Sequence, residues 1–250
     1  MESKNEMLSQ KLDLSNFTLT DMTICGKALR QLGEEAKTME EVATRLTNYL
    51  YLNLIDKKTK ENACALVRFF KTHPYETLPL ELQRLVAAKL GVDTIAAQMK
   101  SFVLLGTRGD KEEWNSRKLS LGHQAIPLPS EDVANKIPMM RNMIKQLGLE
   151  VNTVINPDPK IIIDLAQRSF NVFYVPEALG SPYIPAQQDF VIPCGIKSVM
   201  GFGGVLPTGD VYVVILFAKI PLLSETAELF KPLALNVKLA LLPYVERVFV

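Results

Sequence analysis

The stretch GFGGVLPTGDVYVVILF, residues 201–217, decides the fold. Three glycines stand beside a run of β-branched and aromatic residues, so the segment is either a phosphate-cradling loop or a tight turn between strands. A dinucleotide fingerprint needs G-x-G-x-x-G between a strand and a helix. Gly201 and Gly203 fit that spacing, but Leu206 stands at the third position and another strand-forming run follows. A phosphate loop of the G-x-x-x-x-G-K-S/T kind is excluded too, because the Gly-Lys-Ser/Thr ending is missing. The tetrapeptide PTGD supplies Pro207 to set a bend and Gly209 for a positive-φ position, which is hairpin chemistry. Gly201, Gly203 and Gly204 then belong to a strand that is kinked or closely approached by another element.

Working outward, strands are expected over 196–206 and Val211–Ala218, with FNVFYVPEA, ACALVRFFKTH and SFVLLGTRG as further strands. A helix is expected after Thr38, which forms a capping box with Glu41; Met39, Val42, Ala43, Leu46, Tyr49, Leu50 and Leu54 line its apolar face. ETLPLELQRLVAAKLGV forms a second helix stopped by Gly91. GHQAIPLPSED is a proline-punctuated connection. SEDVANKIPMMRNMIKQLGLEV is a helix entered at Ser130, kinked or divided at Pro138 and stopped near Gly148. PDPKIIIDLAQR is open between a short helix and a connector, and LGSPYIPAQQD is a loop. The last helix has Ser224 as N-cap and Glu225 and Glu228 in its first turn, with Pro232 bending it.

Before Gly33, Leu8, Leu12, Ser15, Leu19, Met22, Gly26 and Leu29 follow the alternating steps of a coiled-coil seam. Two readings stand for this segment: a dimer-forming helix, or an amphipathic helix packed on its own domain. The chain therefore divides into an N-terminal helical segment, 1–36, and a following domain, 37–250.

The 250 residues are 48% hydrophobic and 22% charged, a globular composition, with a formal net charge of +1. That balance offers no basic stripe for nucleic acid. No apolar run approaches the ~20 residues that span a bilayer, and MESKNEMLSQKLDL lacks the apolar core of a signal peptide. Cytoplasmic location without membrane insertion is the expectation. Cys25, Cys64 and Cys194, odd in number and far apart, read as reduced thiols.

No C-x-x-C, H-E-x-x-H or G-x-S-x-G motif occurs, and His73 and His123 lie apart without a carboxylate at ligand spacing. The richest stretch is RGDKEEWNSRKLSLGHQAIPLP, which holds the sole tryptophan, Trp114, with Asn115, Arg117 and His123. Two readings stand: the wall of a small-ligand pocket, or a tryptophan plugging the core edge with structural hydrogen bonds around it. Arg68, a lone charge in CALVRFFK, either reaches an internal cavity or snorkels to the surface. Cys194 is a small, partly buried thiol or a nucleophile in need of a base.

From Thr38 onward the order of elements resembles a GAF domain, the small-molecule sensing fold related to PAS. The resemblance is carried by residues 170–242: a strand with a V-P step, the loop P-Y-I-P that includes Tyr183, a G-I-K-S-V strand entry, a turn, a strand and a helix opened by Ser-Glu and containing L-A-L-N-V. It is weaker over 38–106 and poor over 107–169, which the resemblance makes a long insertion in a GAF-like sensor domain spanning 37–250. EWNSRKLSLGHQAIPLPSEDV is also similar to input regions of bacterial histidine-kinase signalling proteins. Asn135-Lys136 is present, but the Phe-x3-Asp-Glu of cyclic-nucleotide GAF domains is not; no cysteine precedes a histidine as in the bilin type; and the cysteine set of the methionine-sulfoxide-reducing type is not evident.

The resemblance implies an α+β fold: a central antiparallel sheet flanked by helices on one face, an N-terminal helical extension packed with a long C-terminal helix, and a ligand between the sheet and its covering loops. It implies a non-catalytic sensor, and the residues themselves offer Arg68, Trp114, Asn115, Arg117, His123, Tyr183 and Cys194 as candidate ligand-binding residues. The signal would pass through a homodimer to a histidine kinase, cyclase or transcription output. Alternatives are a small enzyme using Cys194 or His123 near Trp114, and a haem or flavin carrier using His73 or His123. No ligand or cofactor is identified.

Overall fold

The computed structural model describes residues 8–120 and 122–249. In chain order the elements are β1 (Leu12–Asp13), α1 (Leu19–Gln31), α2 (Met39–Asn53), β2 (Leu54–Ile55), β3 (Cys64–Pro74), α3 (Leu80–Leu90), β4 (Lys100–Gly109), β5 (Ala125–Leu128), α4 (Glu131–Asn135), α5 (Pro138–Gln146), α6 (Val151–Ile155), α7 (Ile162–Gln167), β6 (Phe173–Val175), β7 (Ser198–Val205), β8 (Val211–Ala218), α8 (Ser224–Glu228) and α9 (Leu233–Leu241). Six strands form one antiparallel sheet in the order β5-β4-β3-β8-β7-β6, and β1 pairs with β2 in a separate parallel pair. The fold is α+β, a central antiparallel sheet flanked by helices.

The glycine stretch is a strand–hairpin–strand. β7 and β8 run in register from Ser198↔Ala218 to Val205↔Val211. Gly209 N donates to Leu206 O at 2.9 Å, Leu206 N to Asp210 O at 2.8 Å, and Gly209 takes φ +79°. That is a three-residue loop closed by a left-handed glycine. A Cβ on Gly203 would stand 2.0 Å from Tyr212 O, so this position admits no side chain while the two strands keep their spacing.

Both faces of the sheet are covered, where helices on one face were expected. Val67, Phe69, Val103, Leu105, Phe202, Tyr212 and Val214 face α1, α2 and α9 in one core. Leu66, Phe70, Phe102, Val213, Ile215 and Phe217 face α4, α5, α6 and α7 in a second. The double burial explains why the strand runs are apolar throughout rather than alternating. Gly106 lets α2 lie directly on β4, since a Cβ there would meet Ala43 O at 2.4 Å.

Several local expectations change in detail. Pro138 opens α5, where its missing N–H costs nothing, so the predicted 130s–140s helix is divided. The connection GHQAIPLPSED contains β5, an edge strand, the place in a sheet where Pro127 is tolerated. The open segment at 160 is the helix α7. The Thr38 side chain accepts from Glu41 N at 3.2 Å, but the Glu41 carboxylate takes Lys37 N at 2.8 Å instead of closing the box. A complete capping box stands at Thr18 and Asp21. The long C-terminal helix is in fact α8, α9 and a 3-10 turn, Leu242–Tyr244. Leu223 occupies the N-cap of α8 and Ser224 is its first residue; Pro232 separates α8 from α9 and Pro243 opens the final turn.

The coiled-coil spacing in the N-terminal segment is used within the protein itself. Gly26 and Leu29 are buried, and Gly26 lies against Leu233 and Asn236 while Gly33 lies against Ala240. Rising numbers on one helix meet rising numbers on the other, so α1 and α9 pack side by side and parallel.

Candidate functional site

Between the second face of the sheet and its covering layer lies a cavity of about 610 Å³. Its floor is Leu66, Arg68 and Phe70 of β3, Phe102 of β4, and Val213, Ile215 and Phe217 of β8. Strand alternation sends residues two apart to one face, which is how Arg68 arrives there between Leu66 and Phe70. The cover is Trp114, Leu119, Ser120 and His123 from the loop after β4, Met139, Met140 and Met143 from α5, and residues 184–186, 189 and 190. Unbranched methionines make an adaptable apolar wall.

Trp114 is held in place from several directions. Its carbonyl accepts from Thr107 Oγ1 at 2.8 Å, and Asn115 Oδ1 accepts from Gly109 N at 2.9 Å. Its ring meets Phe190 edge-on at 5.5 Å, and Phe190 meets Phe217 at 5.0 Å. Lys111 Nζ lies 5.0 Å from the indole centre.

Of the residues proposed from sequence, Arg68, Trp114 and His123 come together at this cavity, Arg68 buried and His123 exposed at the mouth. Asn115, Arg117, Tyr183 and Cys194 do not line it. Asn115 fixes the turn that carries Trp114. Arg117 is buried in a different junction, with Nε 2.8 Å from Glu40 Oε1, its terminal nitrogens 3.2 Å from Glu81 Oε1, and the Phe249 ring 6.0 Å away. Tyr183 is 43% exposed, beside the lining residues Ile184 and Pro185. Cys194 packs against the second core, where burial pushes its thiol pKa up, away from the nucleophilic thiolate. Cys25 and Cys64 are fully buried, and burial drives the Cys64 pKa to about 12.

A second polar constellation was not legible in the sequence. Asp210, at the end of the β7–β8 hairpin, accepts from Lys71 Nζ and Lys100 Nζ, both at 2.7 Å, and from Thr208 Oγ1 at 2.9 Å. Burial alone would raise the Asp210 pKa; the two ammonium groups outweigh it and hold the carboxyl below its usual value. His73 Nδ1 lies 3.2 Å from Lys71 Nζ, and its Nε2 meets Thr77 Oγ1 at 3.0 Å. Burial first, then the neighbouring Lys71 charge, pulls the His73 pKa down to about 4. Both its ring nitrogens are engaged, and it lies outside the cavity. Among the described residues no group of three His, Cys, Asp or Glu side chains could hold a metal ion, and no helix is long and apolar enough to cross a membrane.

The cavity's methionines and Phe190 were also missed as lining residues. The methionines leave a trace in PMMRNM, where Met139 and Met143 stand four apart on one helical face.

No protein-family model matches the chain, and no curated protein does. Solved structures do. Free methionine-R-sulfoxide reductase of Neisseria meningitidis, in complex with its substrate, is 10% identical over 89% of each chain, with a TM-score of 0.49. A GAF domain structure is 9% identical over 99% of this chain and 97% of its own, also at 0.49. The GAF domain of a phosphoenolpyruvate-protein phosphotransferase from Coxiella burnetii is 10% identical over 89% and 92%, at 0.42. These likenesses concern the fold, and neither ligand nor activity is carried over from them.

Proposed function

We propose that this chain is a regulatory module that binds a small molecule in the cavity beneath Trp114 and works by changing how its covering loops pack, without chemistry of its own. The observation that carries the reading is the cavity itself: about 610 Å³, roofed by loops and one short helix, floored by a rigid sheet, and lined mainly by apolar side chains. For the alternative, a small enzyme using Cys194 or His123 near Trp114, His123 lines the cavity and Cys194 packs outside its lining.

The route outward that the contacts favour begins in the same loop. Trp114 and Ser120 line the cavity while Arg117, between them, grips Glu40 at the start of α2 and Glu81 at the start of α3. A ligand that prefers one arrangement of this loop would bias both helices. The output is a kinase, cyclase or transcription partner in the cytoplasm, reached through a homodimer. Leu19 of α1 and Leu235 and Leu239 of α9 support the dimer: they are 68%, 59% and 39% exposed on the parallel helix pair.

The test is native mass spectrometry of freshly purified protein, read together with Trp114 emission. A retained small molecule whose removal shifts the emission is expected. A ligand that binds without changing the emission would lie elsewhere and overturn the reading.

A further inference from the structure

The cavity floor carries a charge with no counter-charge among the described residues. Arg68 sits mid-strand in β3, 8% exposed, and its buried Nε has no hydrogen-bond partner. Among the described residues its guanidinium forms no ion pair. The other buried charges all have partners: Lys71 and Lys100 meet Asp210, Arg117 meets Glu40, and Lys238 donates to Ala166 O. The two acidic residues that line the same cavity, Glu113 and Asp189, are exposed at its rim and do not reach the guanidinium. Desolvation alone pulls the Arg68 pKa down to about 10.

An unpaired buried guanidinium is unfavourable until an anion meets it. Its planar fork matches a carboxylate through two parallel hydrogen bonds. The surroundings select for one negative charge and an apolar body. Among the described residues the floor holds no second cation; Lys111, the other cation lining the cavity, is exposed and lies 5.0 Å from the centre of the Trp114 ring. A dianion such as a phosphate monoester would therefore keep uncompensated charge at the floor, while Phe70, Phe102, Met140, Phe190 and Ile215 offer only apolar contact.

We propose that the cavity takes an amphiphilic carboxylate, its head on Arg68 and its apolar body between the sheet and the methionines of α5. This rests on the cavity being the binding site, and the test separates the two claims. Trp114 emission is titrated with decanoate, decan-1-ol and decyltrimethylammonium, each below its micelle concentration, in the wild-type chain and in Arg68→Met. The wild type is expected to bind decanoate at least about 10-fold more tightly than decanol, and the ammonium most weakly. Arg68→Met is expected to lose that preference, keep decanol binding, and unfold at or above the wild-type temperature when unliganded. Arg68→Lys, which keeps the charge and loses the fork, should fall between them and serves as the second variant if Arg68→Met fails to fold. Equal binding of decanoate and decanol by the wild type, or a decanoate preference that survives in Arg68→Met, overturns the carboxylate. Binding of none of the three overturns the cavity reading with it.

Discussion

Asp210 answers two lysines in a space closed to water, and its neighbours titrate accordingly. Removing its charge in Asp210→Asn leaves Lys71 and Lys100 facing each other, a loss of about 3–5 kcal/mol for a broken buried pair, to be read as a lower urea midpoint with an unchanged slope. The pH dependence has a different owner. His73 is held at about 4 in the fold against roughly 6.5 in an unfolded chain. The unfolded state therefore takes up a proton first as pH falls, so stability is complete above about pH 6.5 and drains away toward pH 4. The groups facing His73 are Lys71, Lys100, Asp210, Thr77 and the Phe249 ring. The loss over that window should approach about 3 kcal/mol. Asp210 itself, whose pKa is lowered, loses its contribution only below its unfolded value near 4, so the two windows separate. Melting temperatures from pH 7 to 4.5 should fall in the wild type and flatten in His73→Gln. At this scale sequence reading was weakest: PTGD marked Asp210 as a turn residue, but its lysines lie 139 and 110 positions away, and nothing local announces such a meeting.

Among the elements, the β7–β8 hairpin makes the sharpest prediction. Gly203→Ala would drive a methyl into Tyr212 O, at 2.0 Å, whereas at Gly201 the nearest atom is Val214 O at 3.1 Å. Gly203→Ala should cost about 2–4 kcal/mol by forcing the two strands apart, well beyond Gly201→Ala, whose neighbour must give by only a few tenths of an ångström. Chemical denaturation of the pair of variants measures the difference. Elements of this kind were legible because their signals are local: Gly209 at a positive-φ corner, Gly91 ending α3 at φ +65°, Ser130 accepting from Val133 N. The signals failed where tertiary context chose. Pro127 suggested a connection, yet at the sheet edge its missing N–H breaks no ladder, and AIPL pairs with β4. The last helix was expected to be one element bent at Pro232, but Pro232 and Pro243 divide it.

Across the whole molecule, the loop that covers the cavity, α2 and residues 247–249 meet around Arg117. Arg247 O and Val248 O accept the N–H groups of Met39 and Glu40, both at 2.9 Å, so the tail caps the start of α2. Glu40 also holds Arg117. If the loop relays occupancy, ligand should slow hydrogen exchange at Met39 and Glu40. Arg117→Met should remove that protection while changing affinity less than about 3-fold, since the side chain does not line the cavity. Equal protection in the variant would sink the relay. The residues flanking Arg117 marked the loop as unusual from sequence, but its role as a junction needed Glu40, Glu81 and Phe249 to be brought beside it.

The helix α2 has one more consequence. Its first turn is tied to residues 247 and 248, and at its far end Asn53 Nδ2 donates to Leu8 O while Leu12 pairs with Leu54. Its 15 residues therefore hold Leu8 and Val248, near the two ends of the described residues, roughly 22 Å apart. A tension applied between those ends runs along the rod and loads the parallel β1–β2 bonds, the tail bonds and the α1–α9 seam together in shear, instead of peeling them one by one. In an optical trap the molecule should yield in a single high-force rip.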